Sequence, residues 1–252
     1  MSCADLDRLV ISYTIEGEAV NKTPLRVGSG KREQYLGPVD NPVMTYMVGG
    51  EERPVIPGSS WKGVLRSEAE RLVNSSPEIR DKKNWPSWRA CNIFELAENE
   101  QLRKKEEEDP CVVCSIFGNT GVASHLYFFD SLPKEKPTLH VIRRVAIDRV
   151  VGSQSPGRLF DVQVVPPETR WGFRMKIVNI DLKSDTPQAF LLSHLLRQLI
   201  DGIQIGGGRS VGYGEIKLVS ETLLVKRMRI EDGILKKDEY RGEEALKILG
   251  VK

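Results

Sequence analysis

Two amphipathic helices set among β-rich segments constrain the fold of this chain more than any other feature of its sequence. The first follows the Pro57-Gly58 turn, where Ser59 or Ser60 is a suitable N-cap. Apolar residues then recur at helical spacing, which predicts a helix over 59–74 that buries Trp61, Val64, Leu65, Ala69 and Leu72. A second helix is predicted over 186–202, with Pro187 in its first turn and Gly202 at its end.

The segments around these helices have the pattern of β-strands. Residues 8–20 alternate apolar and polar side chains, so that Leu9, Ile11, Tyr13 and Ile15 share one face. Further strands are predicted over 125–133, over 170–181 and within 203–225. The order β-α-ββ-α-β predicts an α+β fold, a single domain over 1–252 with a ferredoxin-like or RRM-like core.

Three segments are additional to this core. Residues 75–115 are predicted to be an insertion that holds two tryptophans, most of the cysteines and a charge run over 98–110, which is interpreted as a solvated surface. Residues 140–168 have two β-rich arms around "GSQSPG" and predict a long β-hairpin. Residues 226–252 are predicted to be a charged C-terminal extension with a candidate terminal helix.

The overall charge of +2 over 252 residues does not by itself indicate a nucleic-acid-binding protein, but the local distribution is uneven. Residues 140–158 contain four arginines, among them Arg143, Arg144 and Arg149, against one aspartate. No apolar run approaches the ~20 residues that span a bilayer, and "MSCADLDRLV" lacks the pattern of a secretory signal. We therefore expect a cytoplasmic protein with no membrane partner.

Three cysteines have spacing typical of a zinc site. Cys111 and Cys114 form a "CVVC" pair, and Cys91 precedes them by twenty residues. A fourth ligand would have to come from Cys3, His125 or His140, and His125 is the candidate we name. The alternative is that these thiols are small buried apolar groups, since free cysteine is often buried.

Two segments are suited to binding anions. In "GGGRSVGYGEI", residues Gly206, Gly207, Gly208, Arg209 and Ser210 allow the backbone to approach a ligand and form an anion-binding nest. At the start of the first predicted helix, free amides, Ser59, Ser60 and Lys62 lie at one end, with Arg66 one turn later. A tight turn and a solvated helix face are the respective alternatives.

The segment "YLGPVDNPVM" places Asp40 between two prolines that stiffen the chain. On local pattern alone it is a turn aspartate bonded to its own backbone. No nucleophilic triad and no paired-acid motif is evident, so Asp40 is the best single acidic residue for a catalytic role.

Taken together, these segments resemble the RAMP superfamily of CRISPR-associated proteins, and most closely the repeated backbone subunit of type III effector complexes. The resemblance is carried by four motifs in order: "LRVGSGKREQYLGPVDNPVM", "VIPGSSWKGVLRSEAERL", "CVVCSIFG" and "GGGRSVGYGEIKL". Their order spans residues 25–218, which makes the set far more specific than any one motif.

The resemblance implies a hairpin "thumb" over 140–168 and copies that stack along a CRISPR guide RNA with other type III subunits. It implies that Asp40 is the catalytic residue of an endoribonuclease that uses Mg²⁺ or another divalent cation to cut the complementary target RNA at regular intervals. It assigns guide binding to Lys62, Arg66 and Gly206–Ser210, with the basic hairpin also contacting RNA. Structural Zn²⁺ at the cysteines is a further expectation.

Two alternatives remain open. The chain could be a catalytically inactive RNA-binding subunit of the same complex, because the long insertion and the C-terminal extension depart from the simplest family pattern. A stand-alone guide-processing ribonuclease of the same superfamily ranks last, because such enzymes rely on a histidine near the first helix and none lies there.

Overall fold

The structure, a computed structural model, describes residues 6–28, 39–147 and 154–251 of the chain. Its strands are β1 (Ile11–Asn21), β2 (Thr45–Val48), β3 (Glu51–Pro54), β4 (Leu126–Phe128), β5 (His140–Ile147), β6 (Gln154–Val164), β7 (Arg170–Val178), β8 (Ile203–Gln204), β9 (Glu215–Leu218), β10 (Leu224–Glu231) and β11 (Ile234–Arg241). Its helices are α1 (Gly58–Ser75), α2 (Glu78–Lys82), α3 (Ile93–Glu98), α4 (Glu100–Glu108), α5 (Val112–Phe117), α6 (Pro187–Asp201) and α7 (Gly242–Ile248).

Seven strands form one antiparallel sheet, in which the order β11-β10-β1-β7-β4 is extended by β8 and β9. β1 lies in the middle, pairing with β10 from Ile11 to Glu16 and with β7 from Ser12 to Val20. The strands predicted over 8–20 and 170–181 are present, and the strand predicted over 125–133 is reduced to β4. The α+β class is therefore confirmed.

The hydrophobic core lies between this sheet and the helices α1, α5 and α6. Tyr13 and Ile15 of β1 are fully buried, as their alternation predicts. Trp61 of α1 packs edge-on against Phe173 of β7, with 5.1 Å between the ring centroids, and its indole N–H donates to Ser131. Both predicted helices therefore lie on one face of the sheet, because their apolar sides can be removed from water there.

The start of α1 differs from the prediction. Neither Ser59 nor Ser60 is the N-cap; Pro57 occupies that position and provides no side-chain cap. The Gly58 N–H instead donates to the Asp130 carboxylate at 2.8 Å, from a segment 72 residues away. A carboxylate at a helix N-terminus is stabilised by the helix dipole, so this long-range contact takes the place of the local cap.

The additional segments are built into the fold. The predicted insertion over 75–115 contains α2, α3 and α4, and it ends in α5, whose residues are almost all buried in the main core. Within residues 140–168, β5 and β6 pair as a separate two-stranded sheet. In the predicted C-terminal extension, β10 and β11 belong to the main sheet, and α7 is the terminal helix.

Among the described residues, no helix is both long and apolar enough to cross a membrane.

Candidate functional site

The Asp40 loop docks against the β5–β6 hairpin. The Asp40 carboxylate is exposed, and its Oδ2 accepts a hydrogen bond from the Asp161 backbone N–H at 2.8 Å. Asn41 donates its N–H to the Asp161 carbonyl at 3.1 Å and accepts from the Gln163 N–H at 3.0 Å. The Gln163 side-chain oxygen accepts from the Val43 N–H at 3.1 Å. The hairpin backbone thus holds a solvent-facing carboxylate in a defined position.

Gln163 and Asp161 were missed by sequence reasoning. Both lie on β6, more than 100 residues from the Asp40 loop, and their local pattern is that of an ordinary hairpin arm. The sequence signal for such partners was the pair Asp40 and Asn41, which lies between two prolines. The backbone N–H and C=O groups of a segment held extended by prolines need hydrogen-bond partners from elsewhere in the chain.

The basic residues of the hairpin point in different directions. The exposed Arg143 pairs with Asp161 across the hairpin, with its Nε 3.0 Å from the Asp161 carboxylate. The Arg144 guanidinium lies over the ring of Tyr213, 4.3 Å from its centroid, and so connects the hairpin to the glycine-rich segment. Arg149 lies outside the described residues.

Arg26 connects the Asp40 loop to the glycine-rich segment and was not predicted. Its guanidinium donates to the Asn41 side-chain oxygen at 3.0 Å, and its carbonyl accepts from the Gly207 N–H at 2.8 Å. Burial and, secondarily, the charge of Arg144 lower the pKa of Arg26. The neighbouring guanidinium groups of Arg26 and Arg144 create a positive potential in this region, which favours the binding of a polyanion. The signal was present, since Arg26 is the first residue of the glycine-containing sequence segment 26–42.

The glycine-rich segment lies against Arg26. Gly206 has a left-handed backbone (φ +85°), and a Cβ there would lie 3.0 Å from the Arg26 carbonyl carbon and closer still to its oxygen. Arg209 and Ser210 then line an open groove of about 680 Å³, whose other wall includes Glu68 and Arg71 of α1. Glycine is therefore required at 206 by both conformation and space.

At the start of α1, the predicted anion-binding residues differ in their exposure to solvent. Ser59 is exposed, and Ser60 and Lys62 are partly exposed. Burial and, secondarily, the charge of Arg66 lower the pKa of Lys62. The amide of Gly58 already binds the Asp130 carboxylate, so this amide is not available to a bound anion.

Arg66 is turned towards the insertion. Its Nη1 donates to the Gly118 carbonyl at 2.7 Å, its Nε to Glu70 at 3.0 Å, and its Nη2 to the Cys114 sulfur at 3.4 Å. These contacts occupy donors on every nitrogen of the guanidinium group. Arg66 therefore connects α1 to the cysteine-bearing segment.

The structure brings the three cysteines together with a carboxylate. The sulfurs of Cys91, Cys111 and Cys114 and a carboxylate oxygen of Glu106 all lie within 4.8 Å of one another. The Cys91 sulfur is 3.1 Å from that of Cys114 and 3.6 Å from that of Cys111. This cluster could hold a metal ion.

The candidate fourth ligand His125 is not part of this cluster. Its Nδ1 lies 2.7 Å from the Val178 carbonyl of β7. Glu106 occupies the fourth position, where it accepts from the Cys111 N–H at 2.8 Å and pairs with Arg89. Sequence reasoning missed Glu106 because it lies in the charge run over 98–110, which was interpreted as solvated; its side chain is in fact buried.

One sulfur of the cluster is the preferred thiolate. Hydrogen bonds from Cys111 and then Cys91 lower the pKa of Cys114, and the positive charge of Arg66 acts in the same direction. Hydrogen bonds with Cys111 and then with Cys114 raise the pKa of Cys91. A thiolate is the form of cysteine that binds metals.

Comparison with known proteins gave two kinds of match. The family model of the RAMP superfamily matches residues 19–217. A protein of Methanothermobacter thermautotrophicus named "CRISPR system Cms endoribonuclease Csm3" is 24% identical over 249 residues, covering 95% of this chain and 93% of that protein. A protein of Methanocaldococcus jannaschii with the same name is 25% identical over 236 residues, covering 87% of this chain and 83% of that protein.

Proposed function

We propose that this chain, which belongs to the RAMP superfamily, is the guide-RNA-binding backbone subunit of a type III CRISPR effector complex and cleaves the complementary target RNA. Two relatives named as endoribonucleases, which match the chain nearly end to end, support this function. The strand order β10-β1-β7-β4, with both long helices on one face, supports a ferredoxin-like core for the subunit. Such a complex works in the cytoplasm.

The observation that carries the catalytic proposal is the exposed Asp40 carboxylate held by the hairpin backbone. RNA supplies its own nucleophile, the 2′-hydroxyl, so the protein need only position one nucleotide for in-line attack and place a carboxylate beside it. In this proposal Asp40 accepts the 2′-hydroxyl proton or binds a divalent cation at its free face. Mg²⁺ or a similar ion would stabilise charge on the phosphate when bound. The products are a 2′,3′-cyclic phosphate and a 5′-hydroxyl.

RNA binding is assigned to the residues around Asp40. Arg143 and Arg144 of the hairpin, together with Gly206–Ser210 of the glycine-rich segment, contact the phosphate backbone without reading sequence, and base pairing with the guide selects the target. Ser59, Ser60 and Lys62 extend this surface to α1, and Arg149 extends it along the hairpin. The contacts of Arg66 favour a structural role, in which it connects α1 to the cysteine-bearing segment, over a role in binding RNA. Copies of the chain stack along the guide with other type III subunits.

The test is cleavage by the assembled complex of a complementary target RNA in Mg²⁺. Asp40→Asn keeps an oxygen to accept from Asp161 and removes only the charge, so guide binding should persist while cleavage falls by about 10²-fold or more. Asp201→Asn, on the exposed end of α6, is the matched control and should cleave normally. Normal cleavage by Asp40→Asn would exclude this residue. Guide binding without regular cuts in the unmodified complex would instead establish the inactive structural subunit.

We also propose that the cysteine cluster binds structural Zn²⁺ through Cys91, Cys111, Cys114 and Glu106. Three sulfurs bound tetrahedrally at ~2.3 Å lie roughly 3.8 Å apart, and the Cys91 sulfur lies 3.6 Å from that of Cys111 and 3.1 Å from that of Cys114. Zinc would tie α5 to the insertion, with Arg66 balancing the negative charge of the thiolates. Metal analysis of the purified chain should return one zinc per chain, reduced in Cys91→Ser and unchanged in His125→Ala. Absence of stoichiometric zinc would exclude the assignment.

A further inference from the structure

One face of the main sheet is covered by helices. None of the site residues described above lies on the opposite face. On β1 and β7 the residues alternate, so that the buried Tyr13, Ile15, Phe173 and Met175 face α1 and α6. Their neighbours along each strand therefore point to the other side. We call this second side the open face.

The open face has an excess of positive charge. By the strand register, its charged residues on β1, β7, β10 and β11 are six cations and three carboxylates: Arg170, Arg174, Lys176, Lys226, Lys237 and Arg241, with Glu16, Glu18 and Glu239. The two carboxylates on β1 are each shared between cations. Glu16 pairs with Arg174 and Lys226, and Glu18 pairs with Arg170 and with Lys134 from the loop after β4. Within the described part of the chain, Lys176 forms no ion pair.

Two aromatic rings lie at the edge of this face. Tyr127 and Phe129 are two residues apart along β4 and its continuation, so both point to the open side, and their exposed fractions are 47% and 40%. Phe129 continues the ladder by donating its N–H to the Arg174 carbonyl at 3.1 Å. The Arg174 guanidinium lies 4.6 Å from the centre of the Phe129 ring, and Tyr127 is opposite Lys176 in the register.

Exposed aromatic rings beside cations have the chemistry that binds single-stranded nucleic acid. Bases stack on the rings, and phosphates pair with the neighbouring cations. Residues i and i+2 of a strand are about 7 Å apart, twice the ~3.4 Å separation of stacked bases, so the two rings suit bases of an extended strand. A duplex does not expose base faces, and an acidic protein surface would have no need of the two rings.

We propose that the open face is a second RNA-binding surface, which takes single-stranded RNA with bases on Tyr127 and Phe129 and phosphates on Arg174 and Lys176. It is separate from the groove beside the glycine-rich segment, because that groove is lined by α1 and α6 residues, which pack on the other face of the sheet. It does not depend on Asp40 or on cleavage, and it would hold a single-stranded part of an RNA that the proposed guide surface does not contact.

The test uses the full chain and a fluorescent single-stranded ten-nucleotide RNA without complementarity to any guide, with affinity measured by anisotropy. Lys62→Gln is present in every sample to weaken the proposed guide surface. Tyr127→Leu and Phe129→Leu keep apolar volume and remove the rings, and each should weaken binding at least about fivefold, since base stacking contributes ~1–3 kcal/mol per base. Phe94→Leu, at an exposed ring of the insertion, is the matched control.

The outcomes separate the alternatives. Loss of affinity in both Leu variants, with normal melting curves and an unchanged Phe94→Leu control, supports the surface. Unchanged affinity in both variants overturns it. If the variants bind RNA normally but no longer assemble with the other subunits of the complex, the open face is a protein interface and the proposal is wrong. Target cleavage is measured separately with the Asp40→Asn comparison, so the two proposals fail independently.

Discussion

Alanine at Gly206 should damage the site through its contact with Arg26 rather than through backbone strain alone. Gly206 and Gly212 have nearly the same left-handed conformation, with φ of +85° and +87°. A residue with a Cβ pays about 1–2 kcal/mol for that conformation at either position. The surroundings differ: a Cβ at 212 meets nothing within 4 Å, whereas a Cβ at 206 collides with the Arg26 carbonyl group.

The collision adds to the cost of Gly206→Ala. The Arg26 carbonyl accepts the Gly207 N–H at 2.8 Å, and moving it away removes a hydrogen bond that contributes about 0.5–1.5 kcal/mol. Displacing packed backbone costs a further ~1–3 kcal/mol. We expect Gly206→Ala to lower the free energy of unfolding by about 2.5–6.5 kcal/mol in total and Gly212→Ala by about 1–2 kcal/mol.

Urea unfolding of both variants measures this difference, and guide-RNA affinity of the folded fractions measures its effect on the site. Because Arg26 also holds Asn41, Gly206→Ala should weaken guide binding while Gly212→Ala leaves it nearly unchanged. Equal destabilisation by the two substitutions would refute the reasoning, since strain would then account for the whole effect.

Three further predictions concern other contacts. The Tyr13 hydroxyl donates to Asp181 at 2.9 Å, and burial and then this hydrogen bond raise the pKa of Tyr13. The stabilisation of the fold by the neutral Tyr13 is therefore full below pH ~10, the pKa of tyrosine in the unfolded chain, and is lost as the pH rises from there through the higher pKa of the folded state. Tyr13→Phe should cost about 1 kcal/mol at neutral pH and flatten the alkaline decline in urea titrations; an unchanged decline would contradict this. Gln163→Ala removes the acceptor of the Val43 N–H and should slow single-turnover cleavage about 10–100-fold at unchanged guide affinity; reduced affinity with normal cleavage would oppose that positioning role. Arg66→Leu should destabilise the fold by about 2–3 kcal/mol and release zinc on chelator challenge; loss of guide binding alone would instead favour the RNA-binding role.

Local features of the site were predictable where the cause is local. The helix from Gly58 to Ser75 follows from apolar spacing and a preceding Pro-Gly turn, and it was predicted to within a residue. Its cap was not, because Asp130 reaches Gly58 from a distant loop. The cysteine spacing indicated a metal-like cluster, but Glu106 could be distinguished from its neighbouring glutamates only once α4 had placed it against buried sulfurs.

By itself the sequence determined the class of fold, the family resemblance and the identity of the conspicuous residues, because alternation, capping patterns and motif order are properties of neighbours along the chain. Only the tertiary structure decided which of these residues meet. It turned Arg66 towards Cys114, joined Arg26 to Asn41 and Gly207, and placed Asp40 on the hairpin. Such pairings depend on strand register and on how helices pack, which are set by burial of the whole apolar core and not by any local segment.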